Sequence, residues 1–407
     1  MNFNKVVIRK GNDSAGLMKD LLKEFPANSL GIGGRRVLIK PNAGRMAGPG
    51  LGINTSPDVI GSILDYFLES GIKNIAVGES PIVGVKALES LEMSGIAREA
   101  GIRGVELIDF DASGYQTIDI PEGRVIKKLR VCKEVLKNNF IVSVPVMKTH
   151  MHTQVSLGLK NMKGCLHGRE KVKLHQLPPF GLVEEPGKPL DYAIADMAGI
   201  LMPDFTIIDG TIAQEGMGPS GGSAKNAGLV IASLNCLAAD TAAVMLMGFK
   251  PEEVFHLREA WKILGSKDSR YLHKGMIEAE PADFMKWVSP FEAPPKKISL
   301  EYSNVIVEDK DSCSACLSTV LMFLKRYYSD FADYLGPGKP LRIALGKSTG
   351  KQPPGTLLIG NCAIRAGDKE GGVLIKGCPP VSSQIIEEVE KLFPELKKKG
   401  LKINGSL

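Results

Sequence analysis

Four cysteines in the last quarter of the chain, Cys313, Cys316, Cys362 and Cys378, combine a residue type and a spacing that can hold a metal cofactor. Cys313 and Cys316 form a C-x-x-C pair ahead of an apolar helical run, Leu317 to Leu324, whereas Cys362 and Cys378 stand in glycine-rich turns much later. Thiolates ligate both iron and zinc. Zinc ribbons usually bring two close pairs. Here fifteen residues separate the second two cysteines, and a proline follows the last one, as at one ligand of bacterial ferredoxin motifs. A 4Fe-4S cluster is therefore the preferred cofactor, and zinc is the alternative. Ser382 is expected to cap a helix carrying Ile385, Ile386, Val389 and Leu392, so that helix N-termini abut the cysteine turns and favour thiolates and an anionic cluster. Cys132, Cys165 and Cys236 lack partners at ligand spacing. Cys132 and Cys236 read as small buried hydrophobes, and Cys165 is left open by the basic segment around it.

That segment, Lys148 to His175, is the second chemical feature. It holds Lys148, Lys160, Lys163, Arg169, Lys171 and Lys173 with four of the six histidines, against the single acid Glu170. A strand, Phe140 to Val146, precedes it directly, so Lys148 and His150 are expected at the carboxyl end of a parallel strand, where open α/β sheets bind ligands. An anionic small molecule, phosphate or carboxylate, fits such a loop, with Gly158, Asn161 and Gly164 shaping it. The competing reading is a solvated basic face without a ligand. Nucleic acid is disfavoured because no aromatic residue falls between Lys148 and His175 to stack on bases. A second glycine-rich loop, Glu215-Gly216-Met217-Gly218-Pro219 to Gly222, brings backbone amides within reach of a ligand but lacks P-loop spacing.

The elements needed to position these groups are legible as alternation. Val37 to Ile39, Asn74 to Val77 and Val105 to Phe110 read as strands separated by helical segments. The first helix starts at Ser56-Pro57 and stops at Gly71; the second ends near Ala100. Further strands are expected at Phe205 to Ile208 and Leu229 to Ala232, with helices at Tyr192 to Leu201, Ala238 to Met247 and Glu252 to Leu264. This predicts an α/β fold, an open, mostly parallel sheet with helices on both faces, over residues 1–290. A Pro-rich, charged stretch, Ser289 to Lys297, separates it from a small C-terminal α+β iron–sulfur domain, 298–407. With 407 residues, 43% of them hydrophobic, the chain can bury such cores unaided. A net charge of +6 from 51 basic and 45 acidic residues does not by itself imply a polyanionic or membrane partner. Seven cysteines and no signal-peptide pattern suit a reducing compartment, and the expected location is cytoplasmic, without membrane spans.

Over about residues 35–250 the chain resembles the family called domain of unknown function 362, whose members often carry iron–sulfur modules. The resemblance rests on Lys40-Pro41-Asn42, Gly78-Glu79-Ser80, Val144 to His150, Ser156 to Gly164, Asp209-Gly210, Glu215-Gly216-x-Gly218-Pro219 and Asp240. The cysteine spacing departs from the two-cluster ferredoxin repeats of many relatives, so one cluster is expected. A fainter likeness is to the amino-terminal domain of nickel-pincer lactate racemases. The resulting expectation is an iron–sulfur redox protein, an oxidoreductase or electron carrier. Lys148, His150, Lys160, Glu79 and Asp209 are its candidate catalytic groups; Lys163, Asn161, Asn42, Glu215, Gly216 and Gly218 would contact the ligand, with Asp240 in reserve. A redox partner protein and a homodimer are admitted. The alternative is a lactate-racemase-like isomerase, or a binding protein with a structural cluster or zinc.

Overall fold

Val37, Leu38 and Ile39 point alternately to the two faces of one strand, and both faces are dry: Leu38 enters one apolar cluster, Val37 and Ile39 the other. A strand buried on both sides belongs to a sheet covered by helices, and near-continuous apolar runs are its sequence signature. In a computed structural model, which describes residues 2–178, 187–271, 277–294, 302–347, 349–367 and 370–394, the chain divides into two compact units, Met1–Pro294 and Pro295–Leu407. Residues 295–297 of the Pro-rich stretch lie outside the described residues.

The first unit begins β1 (Lys5–Lys10), α1 (Ser14–Lys23), β2 (Arg36–Pro41), α2 (Pro57–Glu69), β3 (Ile75–Glu79), α3 (Ala87–Met93), α4 (Ile96–Ile102) and β4 (Glu106–Asp109). Ser56 precedes α2 with Pro57 in its first turn, and Gly71 follows at φ +83°, a conformation that suits glycine. Gly95, at φ +78°, divides the single helix expected before Ala100 into α3 and α4. A two-stranded side sheet, β5 (Tyr115–Asp119) and β6 (Lys128–Cys132), leads through α5 (Lys133–Leu136) to β7 (Asn139–Val144), β8 (Val146–His150), β9 (Gln154–Ser156), α6 (Gly158–Asn161), α7 (Glu170–His175) and α8 (Pro189–Ala198). Then come β10 (Phe205–Glu215), β11 (Ser223–Lys225), β12 (Leu229–Ser233), α9 (Cys236–Leu246), α10 (Phe255–Gly265) and β13 (Glu278–Glu280).

The main sheet runs β13-β1-β12-β10-β7-β2-β3-β4. It is parallel from β10 to β4, while β12 runs antiparallel to both β1 and β10. Helices α1, α2 and α4 cover one face through Leu21, Ile60, Phe67 and Ile96, and the later helices cover the other through Leu159, Ile194, Leu237 and Trp261.

Two strand expectations are corrected. Pro145 has no N–H for a ladder, so the run read as one strand is divided into β7 and β8, and Lys148 and His150 lie within β8 instead of in a loop. Strand β10 does not end near Ile208. It continues to Glu215 because β8 and β11 supply partners beyond the main sheet.

The second unit contains β14 (Val305–Lys310), α11 (Ser314–Phe331), β15 (Leu341–Gly346), β16 (Leu357–Ile359), α12 (Gly360–Ala366), β17 (Val373–Ile375) and α13 (Ser382–Leu392). Its four strands pair in chain order and all are parallel. The unit is thus α/β and not the expected α+β: α11 returns the chain from β14 to β15 and α12 from β16 to β17, while among the described residues no helix joins β15 to β16. Val381 occupies the cap position of α13 that was assigned to Ser382.

Gly158 marks a close approach between a site-bearing element and the core. A Cβ there would stand 2.8 Å from Asp240 Oδ1, Cys236 Sγ and Thr206 Cγ2. Gly158→Ala is predicted to lower stability by about 1–3 kcal/mol in urea unfolding, the usual cost of overpacking.

Candidate functional site

Lys40, next to last in β2, and Glu79, last in β3, are both only about 1% exposed. The Lys40 ammonium donates to both Glu79 oxygens and to the Pro41 carbonyl at 2.8 Å, and to Asn161 Oδ1 at 3.3 Å. Glu79 also accepts from the amides of Ala43 (3.0 Å) and Ser80 (2.9 Å). A buried pair is tolerable only when its remaining lone pairs and protons are satisfied in this way. Asn161 completes the arrangement, donating to the Lys40 carbonyl and to Ser143 Oγ. Gly164 packs against the pair so closely that a Cβ would collide with it. Glu79 and Asn161 therefore shape the site, and the Glu79 charge is committed to Lys40.

Beside this pair lies positive charge that is less well matched. Lys148 is 5% exposed and uses two of its three N–H donors, on Asn42 Oδ1 at 2.5 Å and the Ile53 carbonyl at 2.9 Å. Burial, then the like charges of Lys160 and Arg45, push its ammonium down to about 7. Lys160 keeps some exposed surface but is enclosed enough that burial pushes it also down to about 7, against the opposing pull of Asp191. Its hydrogen bond is a long one, 3.4 Å to Ser156 Oγ. Burial likewise lowers the Arg45 guanidinium. His150 Nδ1 accepts from the amides of His152 (3.1 Å) and Thr153 (3.3 Å), and burial followed by Lys160 holds the imidazole well below its usual range. It is a neutral ring at physiological pH, with its proton on Nε2.

The other candidates divide by what they touch. Lys163 contacts His175 Nε2 on α7. Asp209 accepts from the Ser56 and Thr211 amides and the Thr211 hydroxyl, joining β10 to the start of α2. Asp240, pushed up to about 7 by burial, holds the Gly158 and Leu159 amides at the start of α6. Glu215 pairs with Lys225 and accepts from the Glu292 amide. The Gly216 and Gly218 carbonyls accept from Thr149 Oγ1 (2.9 Å) and the Met151 amide (3.1 Å), so this loop is stitched to β8. Lys40, Arg45 and Gln214 were not among the sequence candidates. Arg45 follows the Lys40-Pro41-Asn42 string in the first glycine-rich loop, which was a usable signal. Gln214 became visible only once β10 extended past Asp209.

In the second unit, three of the four parallel strands are followed by a cysteine at the same distance. Cys313, Cys362 and Cys378 each stand three residues beyond the last residue of β14, β16 and β17, and Cys316 lies in the first turn of α11. Cys362 stands in the first turn of α12 and not in the expected glycine-rich turn; the Asn361 amide donates to the Gly377 carbonyl (2.9 Å), and the Gly377 amide to Asn361 Oδ1 (3.0 Å), joining the start of α12 to the turn of Cys378. Cys313 makes no conventional side-chain cap for α11, yet its thiol is lowered, first by the Cys316 thiol and also by the Cys316 and Ala315 amides. Cys316 is raised in turn by Cys313, by burial, and by the charges of Cys378 and Cys362. Gly360, at φ +86°, leaves room beside it: a Cβ would lie 2.8 Å from Cys316 Sγ. Soft sulfur donors with space between them suit iron–sulfur or zinc ligation. Among the described residues no group of three or more His, Cys, Asp or Glu side chains is gathered closely enough to hold a single metal ion. Cys132, Cys165 and Cys236 are all buried in the first unit, and burial raises each thiol. Among the described residues no helix is long and apolar enough to cross a membrane.

Two outcomes follow from the first unit. Glu79→Ala strands a buried ammonium and is predicted to cost about 3–5 kcal/mol in urea unfolding, whereas Lys40→Met combined with Glu79→Leu costs less than the single change. Lys148 and Lys160 are depressed from 10.5 in the unfolded chain to about 7 in the folded one, so the unfolded state binds more protons between those values. Stability of the ligand-free protein should therefore rise with pH from about 7 towards 10, and the rise should flatten in a Lys148→Met, Lys160→Met double variant.

A family model described as "Domain of unknown function (DUF362)" matches residues 37–245. A thylakoid-associated protein of Synechocystis sp. is 28% identical over 224 residues, covering 54% of this chain and 65% of that protein. The lactate racemase apoprotein of Thermoanaerobacterium thermosaccharolyticum aligns with a TM-score of 0.42 at 12% identity over 86% of this chain and 71% of that one. A Thermotoga maritima protein aligns with a TM-score of 0.36 at 16% identity over 59% and 61%. With just over half of its residues inside the family match, the chain belongs to the DUF362 family.

Proposed function

We propose that the protein is an iron–sulfur redox protein, with a 4Fe-4S cluster on Cys313, Cys316, Cys362 and Cys378 and an anionic small molecule bound in the first unit by Lys148, Lys160 and Arg45. The observation that carries the redox reading is the common placement of Cys313, Cys362 and Cys378, three residues past the ends of parallel strands, with Cys316 one turn further on. Parallel strands lie about 4.8 Å apart, so equal offsets from their ends deliver side chains to one edge of the sheet. Amides at the start of α11 and the Lys347 ammonium, whose charge acts on Cys313, favour the thiolate form that a cluster requires. Once bound, such a cluster supplies one-electron transfer. In the first unit, the neutral His150 would offer its Nε2–H as a hydrogen-bond donor to the anion, while the lysines orient negative charge.

Purified without oxygen, the protein is expected to be brown, to hold about four iron atoms per chain, and to bleach reversibly on reduction. Cys362→Ser or Cys378→Ser should sharply lower the iron content. A colourless preparation carrying zinc on the same cysteines would replace the redox reading with a structural one.

A further inference from the structure

The charges around Lys148 and Lys160 can be matched group by group. Lys40 is neutralised by Glu79. Among the described residues Arg45 has no acceptor or carboxylate partner, and its environment is set by burial. Lys148 has an N–H left over, and Lys160 has only its long bond to Ser156. Among the described residues, the one carboxylate that acts on Lys160 is Asp191, which accepts from the Lys188 amide and faces His256 Nδ1 at 3.5 Å. With both lysines protonated, three cations against this one remaining acid of the described residues leave a surplus of two positive charges. Gln214, the register neighbour of Lys148 on β10, is a separate sign of a missing partner: it is fully buried, and neither its amide oxygen nor its nitrogen has a hydrogen-bond partner. Buried amides are rarely left so.

We infer that the ligand of this site carries at least two negative charges, as in a phosphomonoester or dicarboxylate, and is gripped by Arg45, Lys148 and Lys160 with the Gln214 amide as its neutral contact. A doubly charged anion both uses the spare N–H groups of Lys148 and Lys160 and cancels the surplus. A monocarboxylate would leave one cation uncompensated in an enclosed place. This inference rests on the anion-binding reading of the first unit and not on the cysteine unit.

The test is isothermal titration of the full chain with matched pairs that differ by one charge: succinate against succinamate, and sulfate against nitrate. The dianion of each pair is expected to bind at least about tenfold more tightly, a difference of about 1.4 kcal/mol. Arg45→Met, at a partly exposed loop position, and Lys148→Met should each shrink that preference, while Gln214→Met should weaken both members of the succinate pair. Equal binding of monoanion and dianion would overturn the dianion assignment while leaving an anion site in place. No binding by any of the four, in a protein that unfolds cooperatively, would overturn the anion site itself and the inference with it.

Discussion

The first unit depends on one enclosed ion pair. Lys40 and Glu79 end adjacent parallel strands, and between them they hold the Pro41 carbonyl, the Ala43 and Ser80 amides and the Asn161 side chain. Replacing such a pair by apolar groups can be neutral for stability, but halving it strands a charge. Its role is therefore positional. It fixes the loop after β2, the turn after β3 and the end of α6 against one another, and those three segments bring Arg45, Asn42 and Lys160 to the neighbourhood of Lys148.

Because Glu79 is spent on Lys40, the cations next to it lack a matching acid. Three other buried carboxylates of the unit serve the backbone: Asp209 holds the start of α2, Asp240 the start of α6, and Asp196 accepts from three successive amides at 124–126. Each anchors a loop by accepting hydrogen bonds that only a carboxylate can supply in pairs. The scaffold is thus held by acids, and the open side of the site is left basic. Burial disfavours the charged form of the enclosed ammonium groups, and an anion bound beside them would restore it.

Much of this was legible in the sequence, for identifiable reasons. Val37 to Ile39, Leu229 to Ala232 and the Ser56-Pro57 start of α2 are local signals, set by side-chain alternation and by proline's fixed φ, and the structure follows them. The DUF362 motifs located the family core. Most of what escaped is non-local. The length of β10 depends on which neighbours offer ladder partners, and propensity does not contain that, whereas Pro145, a local strand divider, was legible in the sequence and was missed. The commitment of Glu79 to Lys40 joins residues thirty-nine apart, so spacing alone left Glu79 looking like a free acid. The parallel order of the four C-terminal strands escaped for the same reason, since their short apolar runs fit either strand direction.

The proposed anion site requires that positive charge enclosed around Lys148 and Lys160 be neutralised by the ligand. Calorimetric titration with succinate near pH 8, in two buffers of different ionisation enthalpy, tests it most directly, because lysines near pKa 7 must take up protons when their charge is compensated. The predicted result is net uptake of about two protons per bound succinate, diminishing towards pH 6. Binding with no proton exchange across that range would contradict it.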